Sequence, residues 1–203
     1  IYRFVTDAAF DPANPALSGD ILDAGTLSVA VFNADGTLNW VPLVQGQGPL
    51  TAENGFATQA EVLLKTRLAA DAVGATPMDR PEDVEVHPVT GRIYVVCTRN
   101  ELRSSVSRAG HYGHRDIDLG PNAANPRGRN LWGHILELSE HAGDHRATRF
   151  RWEMLLMGGD LEDGIGRGIA DRLACPDVFL AQPVQHLGPR GAAIAEDAGQ
   201  SAF

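Results

Sequence analysis

"PEDVEVHPVTGRIYVVCT", residues 81 to 98, holds two strands and the turn between them. Val84 and Val86 alternate with charged neighbours, and "RIYVVCT" (92–98) is nearly all apolar or β-branched. Between them "HPVTG" (87–91) gathers turn formers, so the stretch predicts a β-hairpin. Pro81 disfavours a helical Arg80 and begins an extended segment. A period of two then places Glu82, Val84 and Val86 on one face, and Asp83, Glu85 and His87 on the other. A carboxylate, Glu82, thus heads an otherwise apolar face, with Arg80 beside it.

Five further segments alternate or run apolar as strands do: 2–6, 25–33, 38–44, 133–140 and 148–157. Asp35-Gly36 predicts a hairpin between the second and third, because both residues tolerate positive φ. "EHAGDHR" (140–146) predicts another between the last two. Gly36, Gly91 and Gly143 mark the three turns at intervals of 55 and 52 residues. A hairpin recurring at a near-constant interval suggests repeated β-units, and roughly 40–50 residues is the period of a four-stranded propeller blade. The predicted fold is therefore all-β: part of a β-propeller, about three blades of a six-bladed parent, with one inserted helix. That helix falls within 55–74, where Val62, Leu63, Leu68, Ala69, Ala72 and Val73 lie near one stripe. Thr58 is placed to cap its start and Gly74 its end. A small sandwich is the architecture that competes.

The long connection at 100–130 is polar and punctuated by Gly and Pro, which marks a functional or disordered loop. Domain organisation follows: a partial propeller over 1–157, then an atypical, poorly ordered tail over 158–203. The chain opens on strand-like "IYRFVT" without a basic, apolar leader. No apolar run approaches the ~20 residues of a membrane span. A formal net charge of −9 sets a field that repels nucleic acid and would repel a phosphorylated metabolite unless a local cation inverted it.

Arg80 and Glu82 suit either of two roles. A carboxylate supplies oxygen to a hard cation and a guanidinium forks onto an oxyanion; equally, the two can pair and close the end of a blade. His111 and His114 in "HYGH" lack a third ligand and read as loop surface, as do His141 and His145 in their turn. "DLEDG" (160–164) lacks the alternating ligands of a calcium loop. Cys97 ends a strand and reads as a buried, inert thiol; Cys97 and Cys175 could form one disulfide or none.

Three stretches, "FNADGTLNWVPL", "TQAEVLLKTRLAADAVGATPMDRPEDVEVHPVTGRIYVVCT" and "NPRGRNLWGHILEL", resemble the PhoX-type alkaline phosphatases, and so does the leading "YRFVTDAAFDPANPALSGDILDAGTL". The resemblance runs over about residues 2–157, with "ATPMDRPEDVEV" its most specific element. It implies a periplasmic or secreted six-bladed propeller that hydrolyses phosphate monoesters with calcium and iron. Carried over, Glu82 is a metal-ligating carboxylate, Arg80 contacts the small phosphorylated substrate, and Asp83 is a secondary metal candidate. Asn100, Asn130, His134 and Glu137 lie in matching segments without an assigned role. The family's cysteine ligand to iron belongs to an earlier region, and neither Cys97 nor Cys175 occupies that motif. Its later Pro-Asp-Asn element is replaced here by "CPDVFL". The resemblance therefore implies an incomplete site and a weakly active or inactive chain. A non-enzymatic propeller binding module and a lactonase-like calcium propeller are the alternatives.

Overall fold

The structure, a computed structural model, describes residues 1–101, 103 and 119–159, all within a unit spanning Ile1–Arg167. Seven strands form where period-two patterning placed them: β1 (Tyr2–Thr6), β2 (Gly25–Phe32), β3 (Thr37–Pro42), β4 (Pro81–Val86), β5 (Ile93–Cys97), β6 (His134–Glu140) and β7 (Arg149–Met157). All pair antiparallel in one curled sheet of order β1-β2-β3-β7-β6-β5-β4. The all-β prediction holds, and the three predicted hairpins, β2–β3, β4–β5 and β6–β7, are present. They share this one sheet because Thr37–Asn39 of β3 pairs with Arg149–Arg151 of β7.

The first turn differs from its prediction. Only Gly36 is left-handed, at φ +78°. Its N–H donates to Asn33 O at 3.2 Å and Asn33 N–H donates to Thr37 O at 2.8 Å, so the loop runs over four residues. Asp35 contributes through its carboxylate, which accepts from Thr37 N–H and Oγ1. That local bonding favours Asp at a turn without requiring positive φ.

The inserted helix is two helices, α1 (Gln59–Leu64) and α2 (Thr66–Ala72). Thr58 caps α1 as expected, accepting from Glu61 N–H, and Gly74 follows α2 at φ +80°. The break falls at Lys65 (φ −100°, ψ 34°), where the Thr66 hydroxyl bonds the Leu63 carbonyl. A back-bonding Thr competes with the helix ladder at that point.

The apolar residues divide into two clusters. On one face of the sheet, Val29 and Leu43 pack with Leu50, Phe56, Val62, Ala69 and Ala70 from the helical insertion. On the other, Ala30, Phe32, Leu38, Trp40, Val95, Leu136, Leu138 and Phe150 form the main core. Edge-to-face pairs Phe32–Trp152 and Trp40–Phe150 lie within it, with centroids 5.3 and 5.8 Å apart. The core face opens into an apolar groove of about 600 Å³, lined from opposite sides by β1 and by Val84 and Val86 of β4. β1 and β4 are the free edges of the sheet. No helix among the described residues is long and apolar enough to cross a membrane.

Candidate functional site

Thr76 leaves the helical insertion by bonding β2: its N–H donates to Ala30 O and its hydroxyl accepts from Phe32 N–H. From there Pro77, Met78, Asp79 and Arg80 lead to the start of β4. Asp79 is fully buried, and Arg80 adopts a left-handed φ of +48° before Pro81. Thr98 N–H donates to the Arg80 carbonyl at 3.2 Å, fastening that turn to the end of β5.

The pairing slips by one residue here: Pro81 faces Cys97, whereas Asp83 already faces Val96. Glu82 is the extra residue of a β-bulge, a device that re-aims a side chain. It therefore leaves the strict alternation with Val84 and Val86 that sequence spacing suggested. Its Oε1 lies 3.0 Å from an Arg80 guanidinium nitrogen and accepts from Thr98 Oγ1 at 3.2 Å. Both side chains are half exposed, 60% for Arg80 and 50% for Glu82, so the pair stays hydrated and available. Asp83 Oδ1 is engaged by its neighbour's Val84 N–H at 2.9 Å.

A hard cation such as calcium takes 6–8 oxygens. Among the described residues no group of three His, Cys, Asp or Glu side chains converges to hold a metal. Glu82 suits one ligand's share of such a site, but a complete set is not formed by these residues. His111, His114, Cys175 and 160–164 lie outside the described residues. Cys97 is buried and free, and desolvation, reinforced by the nearby Asp79 charge, pushes its thiol up to about 12. The expected inert thiol is what the structure contains.

Behind the exposed pair stands a buried polar cluster that strand periodicity does not reveal. The Asp79 carboxylate accepts from Arg103 Nε at 2.5 Å, Asn100 Nδ2 at 3.0 Å and Asn130 Nδ2 at 3.1 Å. Arg103 and Asp79 are both essentially without solvent exposure. A buried carboxylate is tolerable only when paired and bonded this fully. Asn100 and Asn130 also join through two backbone bonds, at 2.8 and 3.0 Å. His134 follows, its Nδ1 3.0 Å from Asn130 Nδ2, while its buried Nε2 has no partner among the described residues. Burial lowers the His134 pKa from 6.5, partly opposed by the Asp79 charge. Gly133 makes the approach possible: at φ +74°, its missing Cβ would meet the Cys97 and Thr98 carbonyl oxygens. Of the four residues without a sequence-derived role, Asn100 and Asn130 therefore converge on Asp79, and His134 joins them through Asn130. The fourth, Glu137, faces away and pairs with Arg92 at 2.9 Å.

Asp79, Arg103, Asn122 and Asn125 were not singled out from sequence. The available signal was Asp79 itself, adjacent to Arg80 in "PMDRPE", together with a run of Asn in a loop too long for mere connection. Asn ordinarily reads as turn punctuation; here Asn125 and Asn130 are buried.

A family model described as alkaline phosphatase PhoX matches residues 1–187. The chain belongs to that family. It is similar to a solved structure, Pseudomonas fluorescens PhoX in complex with vanadate, a transition state analogue, at 40% identity and a TM-score of 0.64. The match covers 76% of this chain and 26% of the Pseudomonas chain. The sheet is accordingly a portion of a propeller-like fold, as expected, although its three hairpins lie joined in one sheet and not one to a blade as their spacing suggested. The comparison with curated proteins gives no match.

Proposed function

We propose that this chain supplies one part of a phosphate monoesterase site, with Arg80 contacting the substrate phosphate and Glu82 contributing a carboxylate to a metal centre. The observation that carries this reading is the pair's setting. A left-handed Arg80 and a bulged Glu82 stand side by side at the surface, in a chain of the PhoX family. Non-glycine residues held in sparsely populated backbone regions cluster at ligand sites. A guanidinium offers a phosphate two parallel N–H donors, which an ammonium cannot. It also supplies the local positive charge that a chain of net charge −9 needs to receive an anionic ester.

Calcium and iron are the proposed cofactors, and bound there they would neutralise phosphate oxygens. Asp83 is a subordinate candidate ligand, since its Oδ1 already accepts from the next residue's N–H. Glu82 and Asp83 are a minority of the oxygens such a centre takes, so the isolated chain is expected to turn over weakly or not at all. Phosphorylated small molecules are the proposed substrates, and a periplasmic or secreted location is proposed from the family. The second reading, an Arg80–Glu82 pair that only closes the end of a blade, is favoured by their 3.0 Å contact.

Hydrolysis of 4-nitrophenyl phosphate, with calcium and iron supplied, separates the two. In the full-length protein, Arg80→Ala and Glu82→Gln should each lower kcat/KM about 100-fold, the scale of losing one transition-state donor. Variants that retain wild-type turnover would leave the pair a structural clasp.

A further inference from the structure

Asp79 is adjacent to Arg80 in the chain, yet it is sealed from solvent and cannot itself touch substrate. Its carboxylate is held by Arg103, Asn100 and Asn130, and its own N–H donates to Asn125 Oδ1 at 2.8 Å. Two positions earlier, the Pro77 carbonyl accepts from Arg103 Nη2 at 2.9 Å and from Asn122 and Asn125 Nδ2, both at 3.1 Å. Arg103 therefore spans the segment, gripping Pro77 and Asp79 and also donating to Gly120 O at 2.7 Å. On the far side Thr98 N–H holds the Arg80 carbonyl, and Pro81 fixes the next residue.

Arg80 sits between these two anchors in a conformation that costs an L-residue roughly 1–2 kcal/mol. Such a conformation persists where the flanking structure over-determines it. We propose that Asp79 is a positioning residue. Its buried carboxylate, clamped by Arg103, Asn100 and Asn130, holds the left-handed turn that presents the Arg80 guanidinium beside Glu82. This rests on the reading of Arg80 as the phosphate-contacting cation. Substituting an amide for the carboxylate keeps the shape but sets an NH2 group among donors that need an acceptor. The turn is then released to an ordinary φ, and the guanidinium leaves its place.

The test is a double-mutant cycle in the full-length protein with Asp79→Asn and Arg80→Ala. It reads the Kd for inorganic phosphate, kcat/KM on 4-nitrophenyl phosphate, and hydrogen exchange at the Thr98 amide. Asp79→Asn alone should weaken phosphate binding and kcat/KM by about 10–100-fold, the cost of misplacing a contact group. In the Arg80→Ala background it should cost nothing further, and Thr98 exchange should quicken. A loss of equal size in both backgrounds, or affinity within two-fold of wild type, would overturn the proposal. Wild-type protein that neither binds phosphate nor turns over would sink the phosphatase reading alone. The Thr98 amide then still decides, since unchanged exchange in Asp79→Asn refutes positioning. Should that variant not fold, Asn125→Ala, which removes the acceptor for the Asp79 N–H and one donor to the Pro77 carbonyl but leaves the Asp79 carboxylate and its three donors in place, carries the same cycle. It is expected to cost a few-fold, again only with Arg80 present, and no loss would count against the proposal.

Discussion

This molecule has two interiors, and they are held together by different physics. Beneath the strands, Phe32, Leu38, Trp40, Leu136 and Phe150 exclude water through shape and area, and any one contact is replaceable by another of similar volume. At the strand ends, Asp79, Asn100, Arg103, Asn125, Asn130 and His134 exclude water through matched donors and acceptors. There, replacement is difficult, because removing one member orphans the rest. The apolar interior makes the fold; the polar one fixes a backbone turn that an apolar core has no means to hold.

The sharpest break of that contrast is Asp79→Ala. It leaves the Arg103 guanidinium buried without its charge partner, and urea unfolding should show a loss of about 3–5 kcal/mol. Phe150→Ala, a comparable excision from the apolar interior, should cost about 3–4 kcal/mol. The two should part when the neighbours are replaced as well: a larger apolar side chain at Leu38 recovers part of the Phe150 loss, whereas restoring volume alone recovers none of the Asp79 loss. Gly133→Ala, where a Cβ would strike the Cys97 and Thr98 carbonyls in a left-handed residue, should cost about 2 kcal/mol by the same measurement.

The pH response distinguishes the interiors more finely. Burial holds the folded His134 pKa below its ordinary 6.5. Between the folded and ordinary values the unfolded chain binds a proton that the folded chain refuses, so stability rises with pH across that window. His134 thus contributes full stability above pH 6.5, and the contribution falls as the pH drops from there towards the folded pKa. Thermal melts stepped downwards from pH 7.5 should show the decline, and His134→Gln should flatten it. The smallest effect belongs to Arg80→Ala on stability. An exposed ion pair is worth under about 1 kcal/mol, so the melting temperature should barely move even where turnover collapses. A large melting shift would assign the pair to structure instead.

Legibility in the sequence follows the same division. Most strands announced themselves because burial on one face of a sheet writes a period of two into the chain, as Leu38 and Trp40 of β3 and Val95 and Cys97 of β5 show. β4 carries the same period in Val84 and Val86 although both are exposed. Arg80 and Glu82 were also visible, since charge at the head of an apolar face violates that pattern. The bulge that lifts Glu82 out of register was not, because the slip is settled by pairing with Cys97 and Val96. Asp79, Arg103, Asn125 and Asn130 were hidden for a different reason. Their partners are up to 51 residues apart, as for Asn130 and Asp79, and no local period records such a meeting. The split at Lys65 was likewise unmarked, being decided by one hydroxyl's choice of carbonyl.

The seam between β3 and β7 bears on how the chain acquires its shape. Each hairpin closes over a few residues, so turns at Gly36, Gly91 and Gly143 can form within microseconds of one another. The seam instead joins Thr37–Asn39 to Arg149–Arg151, segments separated by most of the described chain. Trp40 N–H adds one bond, to Thr148 O at 2.8 Å. Closing so long a loop for so few pairs has a high entropic barrier and a late reward. The two meanders, β1–β3 and β4–β7, are therefore expected to assemble first and meet last, with the seam as the kinetic bottleneck. Substitutions at Asn39 or Arg149 should slow refolding more than they hasten unfolding, whereas those in the Gly91 hairpin should leave the folding rate almost untouched.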